Sequence, residues 1–194
     1  MRAFPSRAEA FERETVRHPI AKPLTFDEAY ATSARSVWRA RARLGVPEEH
    51  LADATQDVFL VVLRQLDRFE GRSSLNTWLF GIALRVASDY RRRLRKVAKT
   101  EPLPETLQDE RGDDPFECAV RSEAVATLYR LLDELSEEQR AVFVFVELEE
   151  LSVREAAEAV GANLHTVVSR LKTARQKFES ALLRHYARSK GERP

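Results

Sequence analysis

The chain is poor in the residues that build disulfide-linked or metal-stabilised folds. Its single cysteine, Cys118, excludes an intrachain disulfide and a CxxC metal pair. The four histidines, at positions 18, 50, 165 and 185, are scattered, and they form no motif typical of a metal site or a catalytic site. The sequence therefore predicts no metal and no cofactor, and these two residue types give no sign of a catalytic site.

Long hydrophobic runs are also absent. No stretch has the length of a transmembrane helix, and no apolar signal region follows the N-terminus, so we expect a cytoplasmic protein without membrane insertion. Of the 194 residues, 43% are hydrophobic and 32% are charged, which is enough for one or two modest cores. An all-α protein of two small helical domains fits this composition best.

The net charge of only +1 conceals charges that are separated along the chain. Residues 85–99 hold seven basic residues and one acid, and residues 163–190 hold the same numbers. Between them, residues 101–150 hold fifteen acids and four arginines. Two cationic segments on either side of an acidic one favour nucleic acid as a partner.

Helix signals begin at Thr25, after an N-terminal extension (1–24) for which we predict no function. Thr25 and Glu28 form a capping box for a helix from Phe26 to Leu44, which Gly45 ends. Its arginines at 35, 39, 41 and 43 are expected to be solvated rather than bound to phosphates.

Two amphipathic segments joined by the polar break Phe69–Ser74 follow, and they complete a three-helix domain over residues 25–96. The expected core residues are Ala54, Val58, Val61, Val62 and Leu66, then Leu75, Trp78, Leu79, Ile82, Ala83 and Val86.

Several motifs in this domain resemble one family. The residues QDVF (56–59), F-x-G-x-S (69–73), TWL-x-x-IA (77–83) and D-x-x-RR (89–93) are similar, in order and spacing, to region 2 of bacterial sigma factors. The short two-part chain most resembles the extracytoplasmic-function group of the sigma-70 family. The resemblance implies docking on RNA polymerase core through the non-core face of the first segment, at Asp53, Gln56, Asp57 and Leu60.

In this family the loop at Phe69–Ser74 captures an unstacked base of the minus-10 promoter element, with arginines on the backbone. Polar edge contacts and stacking suit that task. The minus-10 residues implied here are Gly71, Arg72, Ser73, Ser74, Asn76, Trp78, Arg85, Arg91 and Arg92. Arg85 is a departure, because the family usually carries an asparagine there. A bidentate amide contact is therefore not expected at this position.

The second domain follows a predicted flexible linker (97–121) that is rich in proline and acids. We predict a helix from Ser122 to Leu135, a second one after the Ser136 cap, and then a helix-turn-helix. The run AVFVFVEL is short enough to fit a buried strand as well, but the cap favours a helix. In the helix-turn-helix, Ser152 caps a helix through Val160, Gly161 makes the turn, and Asn163 caps a helix to Ala187. This domain covers residues 122–187, before a tail at 188–194.

The last helix also resembles the family. The residues TV-x-SRL-x-x-AR (166–175) are similar to region 4 of sigma factors, which reads the minus-35 element. Leu164, Val167, Leu171, Ala174 and Phe178 are spaced for burial. The implied minus-35 residues are Asn163, His165, Thr166, Ser169, Arg170, Lys172, Arg175 and Gln176. Val168 is a second departure, since the family commonly has a basic residue there.

The expected partners follow from the resemblance. They are the beta-prime clamp and beta flap of RNA polymerase core, promoter DNA and, as for many sigma factors of this group, an anti-sigma factor. The linker of such proteins runs toward the RNA exit path of the polymerase. Two alternatives stay open from the residues alone. One is an operator-binding helix-turn-helix regulator, and the other is a DNA-processing enzyme such as a recombinase that uses Tyr90 or Tyr129.

Overall fold

The computed structural model describes residues 24–97 and 115–191, and every regular element within these two ranges is helical. Residues 1–23 of the predicted N-terminal extension, most of the predicted linker and residues 192–194 of the predicted tail lie outside the described residues. The helices are α1 (Phe26–Arg43), α2 (Leu51–Gln65), α3 (Leu75–Val97), α4 (Pro115–Asp133), α5 (Glu137–Phe143), α6 (Val153–Val160) and α7 (Leu164–Gly191). Short 3₁₀ turns at Glu48–His50 and Leu66–Arg68 lie on either side of α2.

The N-terminal domain consists of α1, α2 and α3, which pack against one another. The predicted capping box at Thr25 and Glu28 is confirmed, and Leu44 is the C-terminal cap of α1. The core of the domain contains Val37, Val58, Phe59, Val62, Leu79, Ile82 and Ala83. The predicted stripes on α2 and α3 are thus largely confirmed, and Phe59 joins them.

The expectation that the α1 arginines are all solvated is wrong for Arg43, which pairs with Glu149 at 2.7 Å, and for Arg41. The Arg41 side chain is buried, and its Nη2 donates a hydrogen bond to the backbone oxygen of Leu51 at 2.9 Å. Burial lowers the pKa of Arg41 to about 10. This arginine lies on the side of α1 that faces the start of α2, so it links the two helices instead of meeting water.

The C-terminal domain consists of α4 to α7, and capping residues mark its helix boundaries. Ser136 and Ser152 both form capping boxes, and Gly161 takes the left-handed conformation at φ 65° that the turn before α7 requires. The Asn163 Oδ1 accepts a hydrogen bond from the backbone N–H of Thr166 at 2.8 Å. The run AVFVFVEL is helical as predicted, but Val144–Leu148 form a π-helical turn after α5.

Three expectations for this domain are wrong. Helix α4 begins at Pro115 rather than Ser122, because a proline is well suited to the first helical position and does not have to end a segment. Helix α7 continues past Ala187 to Gly191. Leu164 is not buried, since α7 begins there and the first turn extends beyond the neighbouring helices.

The two domains share a second hydrophobic cluster, separate from the core of the N-terminal domain. Helix α3 packs on α1 and α2 with one side and on α6 with another. The second side contributes Phe80 and Ala87 to a buried cluster that also contains Leu132, Phe145 and Ala159 of the C-terminal domain. The polar segments proposed to bind partners therefore project from a single packed body.

Candidate functional site

The proposed polymerase face of α2 is exposed at three of its four predicted positions. Asp53, Gln56 and Leu60 are all exposed. Asp57 is half-buried instead, and its Oδ2 accepts a hydrogen bond from the Tyr90 hydroxyl at 2.9 Å. Burial and the Asp57 carboxylate both raise the pKa of Tyr90, so the phenol stays protonated and can donate this bond. Asp57 thus holds α2 against α3, while the other three residues are free to meet a partner.

An apolar groove of about 560 Å³ runs beside this face, between α1 and α2. Phe26, Tyr30 and Trp38 line it from α1, and Phe59, Leu60 and Leu63 line it from α2. Tyr30 and Leu63 are large apolar side chains that remain 48% and 56% exposed.

Sequence reasoning missed the groove, although one signal was available. Leu63 falls outside the predicted core stripe of α2, as an exposed leucine on a protein-binding face does. Leu60 lines the groove and also belongs to the predicted docking face.

The loop before α3 is built around an aromatic contact and a cap. Phe69 packs on Trp78 with ring centroids 5.0 Å apart, and Gly71 has a φ of 66°, which favours glycine. The Ser74 Oγ accepts a hydrogen bond from the backbone N–H of Thr77 at 3.1 Å, so Ser74 caps α3. Trp78 and Ser74 therefore support the loop.

Other predicted loop residues are available to a ligand. Asn76 and Arg72 are exposed, and Ser73 is partly exposed. Arg72 forms a surface ion pair with Glu70. Exposed ion pairs of this kind contribute little to stability, so Arg72 can exchange Glu70 for a phosphate at small cost.

Some of the arginines at the cationic end of α3 face solvent, and others contact the rest of the protein. Arg85 and Arg92 are exposed, and Arg92 forms an ion pair with Asp89 at 2.8 Å. Arg91 differs, because only 12% of its side chain is exposed and it forms an ion pair with Glu137 of α5 at 3.2 Å. Burial lowers the pKa of Arg91. The structure thus does not bring Arg91 to the same free surface as Arg85 and Arg92.

One face of α7 presents polar side chains to solvent. His165, Ser169, Lys172 and Gln176 are all exposed and recur at three- and four-residue intervals, which places them in one row. Asn163 is also exposed, but its side chain caps α7, and Thr166 is half-buried. In a helix-turn-helix, a row of this kind at the start of the second helix has the geometry that enters a DNA major groove.

The flanks of this row differ from each other. Arg175 pairs with Glu147 of the π turn at 2.6 Å, whereas Arg170 is half-buried. Leu164 and Val168 are both 40% exposed and lie one turn apart near the start of α7. The departure at Val168 therefore gives the start of α7 an apolar patch. Apolar side chains can contact the 5-methyl group of thymine.

Within residues 24–97 and 115–191, no group of histidine, cysteine or acidic side chains is arranged to hold a metal ion. No helix in those ranges combines the length and apolar character needed to cross a bilayer.

Two family descriptions match the chain, one for each domain. Sigma-70 region 2 matches residues 29–97, and Sigma-70, region 4 matches residues 126–178. The chain is 30% identical over 165 residues to the ECF RNA polymerase sigma factor SigX of Bacillus subtilis (strain 168), covering 83% of each protein.

Solved structures resemble it too. CnrH in complex with the cytosolic domain of CnrY has a TM-score of 0.61 and 26% identity, covering 81% of this chain and 86% of the matched one. The sigma factor RpoE in complex with the anti-sigma factor NepR from Bartonella quintana is similar in fold. Its TM-score is 0.63 at 22% identity, and the match covers 81% of this chain and 96% of the other.

Proposed function

The chain belongs to the extracytoplasmic-function group of sigma-70 factors, and from this premise we propose how its surfaces are divided between polymerase and promoter. As a sigma factor it binds RNA polymerase core and directs promoter-specific transcription initiation. Region 2 is the N-terminal domain, and region 4 lies in the C-terminal domain. We infer that it acts as an initiation factor without catalytic activity of its own, in the cytoplasm where the polymerase works.

We propose that the groove between α1 and α2, with Asp53, Gln56 and Leu60 at its edge, docks on the beta-prime clamp. The exposed apolar side chains of Tyr30 and Leu63 carry this assignment, because large unpartnered apolar side chains beside polar ones are typical of protein-binding surfaces. An amphipathic helix laid in such a groove would bury them. Asp57 contributes indirectly, by fixing α2 on α3 through Tyr90.

We propose that the loop at Phe69–Ser74 reads the minus-10 element. Support comes from the exposure of Asn76 and Arg72 around a loop that the Phe69–Trp78 contact and the Ser74 cap hold in place. A fixed loop with free polar groups can receive a base that has left the duplex. Arg85 and Arg92 extend this surface along α3 and supply cations for the phosphate backbone.

We propose that α7 reads the minus-35 element through His165, Ser169, Lys172 and Gln176. Arg170 and Arg175 lie on either side of this row and hold phosphates. The C-terminal domain would meet the beta flap while α7 lies in the major groove, and the linker would follow the RNA exit path. The departures at Arg85 and Val168 change individual contacts, and both side chains remain exposed toward the proposed DNA surfaces.

Neither alternative is favoured. An operator-binding regulator would need only the C-terminal domain, and it leaves the polar and apolar face of α2 without a role. A recombinase would need an activated tyrosine, whereas burial raises the pKa of both Tyr90 and Tyr129. A raised pKa makes a phenol a poorer nucleophile at neutral pH.

Polymerase docking can be tested by a charge reversal on the exposed face of α2. Asp53→Lys should weaken the affinity for core polymerase about tenfold, or ~1.4 kcal/mol, because it places a cation where the partner meets an acid. Asp67→Lys is the matched control, since Asp67 is an exposed acid beyond the end of α2. Fluorescence titration with purified core measures both affinities. Equal affinities for the two variants would refute the docking assignment.

The loop assignment predicts a defect in promoter opening. Replacing Ser73 and Asn76 by alanine should reduce permanganate reactivity of the melted promoter several-fold and leave the footprint of the closed complex intact, because the contact is made to an unpaired base. Ser74→Ala is the contrasting variant. It removes the α3 cap and should lower the free energy of unfolding by about 1 kcal/mol. Equal losses in closed and open complexes for the double variant would contradict base capture.

Two substitutions in α7 distinguish a phosphate contact, which affects overall affinity, from a base contact, which affects sequence preference. Arg175→Ala should weaken binding to all duplexes and reduce the salt slope of binding by about one unit, because a phosphate contact is lost. Ser169→Ala should instead change preference at one or two minus-35 bases, by roughly 1–3 kcal/mol. Affinities for the preferred element and for scrambled duplex, measured across a salt series, test both expectations.

Glu147→Gln is the control for the Arg175 variant. It removes the ion pair that occupies Arg175 and should strengthen binding to every duplex. The proposed rotation of α7 in the groove is wrong if Arg175→Ala changes sequence preference and Ser169→Ala does not.

A further inference from the structure

The first turns of α7 carry two exposed apolar side chains among polar ones. Leu164 and Val168 are both 40% exposed, and they lie one turn apart on the helix. The apolar side chains that follow at helical spacing, Val167, Leu171 and Ala174, are buried in the C-terminal domain instead. Leu164 and Val168 therefore form an apolar pair that faces away from this core.

The turn before α7 leaves the apolar pair open to a ligand. Asn163 caps α7 by accepting a hydrogen bond from the backbone N–H of Thr166, which fixes the direction of the first helical turn. At Gly161, a Cβ would meet no described atom within 4 Å beyond its neighbours in the chain. The start of α7 thus projects from the domain with open space around its turn.

Val168 lies between the polar row of α7 and the cation on one flank. At about 100° per residue, Val168 is about 40° from Lys172 and about 20° from Arg175 around the helix axis. Lys172 is exposed and belongs to the row that is proposed to face the bases, whereas Arg175 is proposed to hold a phosphate. Val168 therefore lies toward the outer edge of the groove. The 5-methyl group of thymine is in that part of the major groove, near the backbone of its own strand.

The surroundings of the apolar pair suit DNA better than protein. Two side chains cannot supply the roughly 800 Å² that each partner buries in a stable protein interface. His165, Ser169 and Lys172 are exposed beside the pair, and such hydrogen-bonding and cationic groups match base edges and phosphates. Among the four unmodified bases, thymine alone presents a methyl group in the major groove. A thymine is therefore the partner that fits both the apolar pair and its polar neighbours.

We propose that Leu164 and Val168 bind the 5-methyl group of a thymine in the minus-35 element, and that this chain selects thymine there. The inference deepens the proposed function and rests on it, because the contact forms only if α7 lies in the major groove. One turn of α7 advances about 5.4 Å, and neighbouring base pairs are about 3.4 Å apart. The thymine therefore lies within about two base pairs of the base that Lys172 contacts.

Deoxyuridine tests the contact, because uracil is thymine without the 5-methyl group and pairs with adenine in the same way. The full chain is bound to core polymerase, and its minus-35 element is selected from a promoter library randomised at that element. Each thymine on either strand is then replaced singly, and the Kd of the closed complex is measured. We expect one or two replacements to weaken binding about fourfold, which corresponds to ~0.8 kcal/mol for one methyl group.

Variants of α7 identify the side chains that read the methyl group. The double variant Leu164→Ser, Val168→Ser should lose the effect of deoxyuridine, because the methyl group then has no apolar partner. Val168→Arg should reduce that effect and steepen the salt slope by about one unit, because a cation gains a phosphate.

Leu183→Ser is the matched control. Leu183 is an apolar residue near the other end of α7, and its side chain is 64% exposed. This variant should keep the fourfold effect of deoxyuridine. All the substituted positions are exposed, and circular dichroism checks that each variant folds.

Contrary results separate the inference from the proposed function. If deoxyuridine has no effect at any position while the holoenzyme still selects a minus-35 element, the apolar pair does not read thymine and the proposed function stands. If the effect persists in the double serine variant, another side chain reads the methyl group and the inference is wrong. If the chain gives core polymerase no preference for any minus-35 sequence, the proposed function fails, and the inference fails with it.

Discussion

The packing of α3 against two partners is the constraint on which the rest of the structure depends. One side of this helix completes the core with α1 and α2, and another side places Phe80 and Gly81 against the C-terminal domain. Burial of apolar area is the main favourable term in both contacts. Because α3 also begins at the proposed minus-10 loop and ends in its row of cations, its position determines where those groups stand relative to α7.

Helix ends, rather than a pocket, carry the proposed recognition chemistry. The loop before α3 is fixed by Ser74, and the start of α7 is fixed by Gly161 and Asn163. Capping interactions satisfy backbone N–H groups that would otherwise lack partners, so they define where each helix begins. Side chains one turn further along then point in fixed directions, as the proposed DNA contacts require. The groove between α1 and α2 supplies the surface that we propose for docking on polymerase.

Local signals in the sequence predicted the helices well, because capping boxes involve residues only three positions apart. Thr25, Ser136 and Ser152 each began a helix where the pattern indicated. Tertiary contacts were harder to predict. Asp57 looked like a free acid on a polar face, but Tyr90, 33 positions away, donates a hydrogen bond to it. Nothing in the spacing around Asp57 indicates that partner.

The contact between the two domains could not be predicted from hydrophobic periodicity, for a related reason. The stripe from Leu75 to Val86 predicted one buried side of α3. A helix with a second buried side has a similar sequence pattern, so the second side is recognised only when its partner is known. The same limit applies to Arg91, which reads as one more member of a basic run but pairs with Glu137. Pro115 misled the prediction in another way. Proline is typical of a break between helices, but here it is the first residue of α4.

Run-off transcription with purified core polymerase tests the central claim most directly. Core polymerase makes no specific start on its own, so a promoter-specific transcript that appears only when this chain is added is the result that the account predicts. The template should carry the minus-10 and minus-35 elements selected by the chain, and a template with either element scrambled should lose the transcript. Binding to the minus-35 duplex without any specific transcript would contradict the account and would favour an operator-binding regulator.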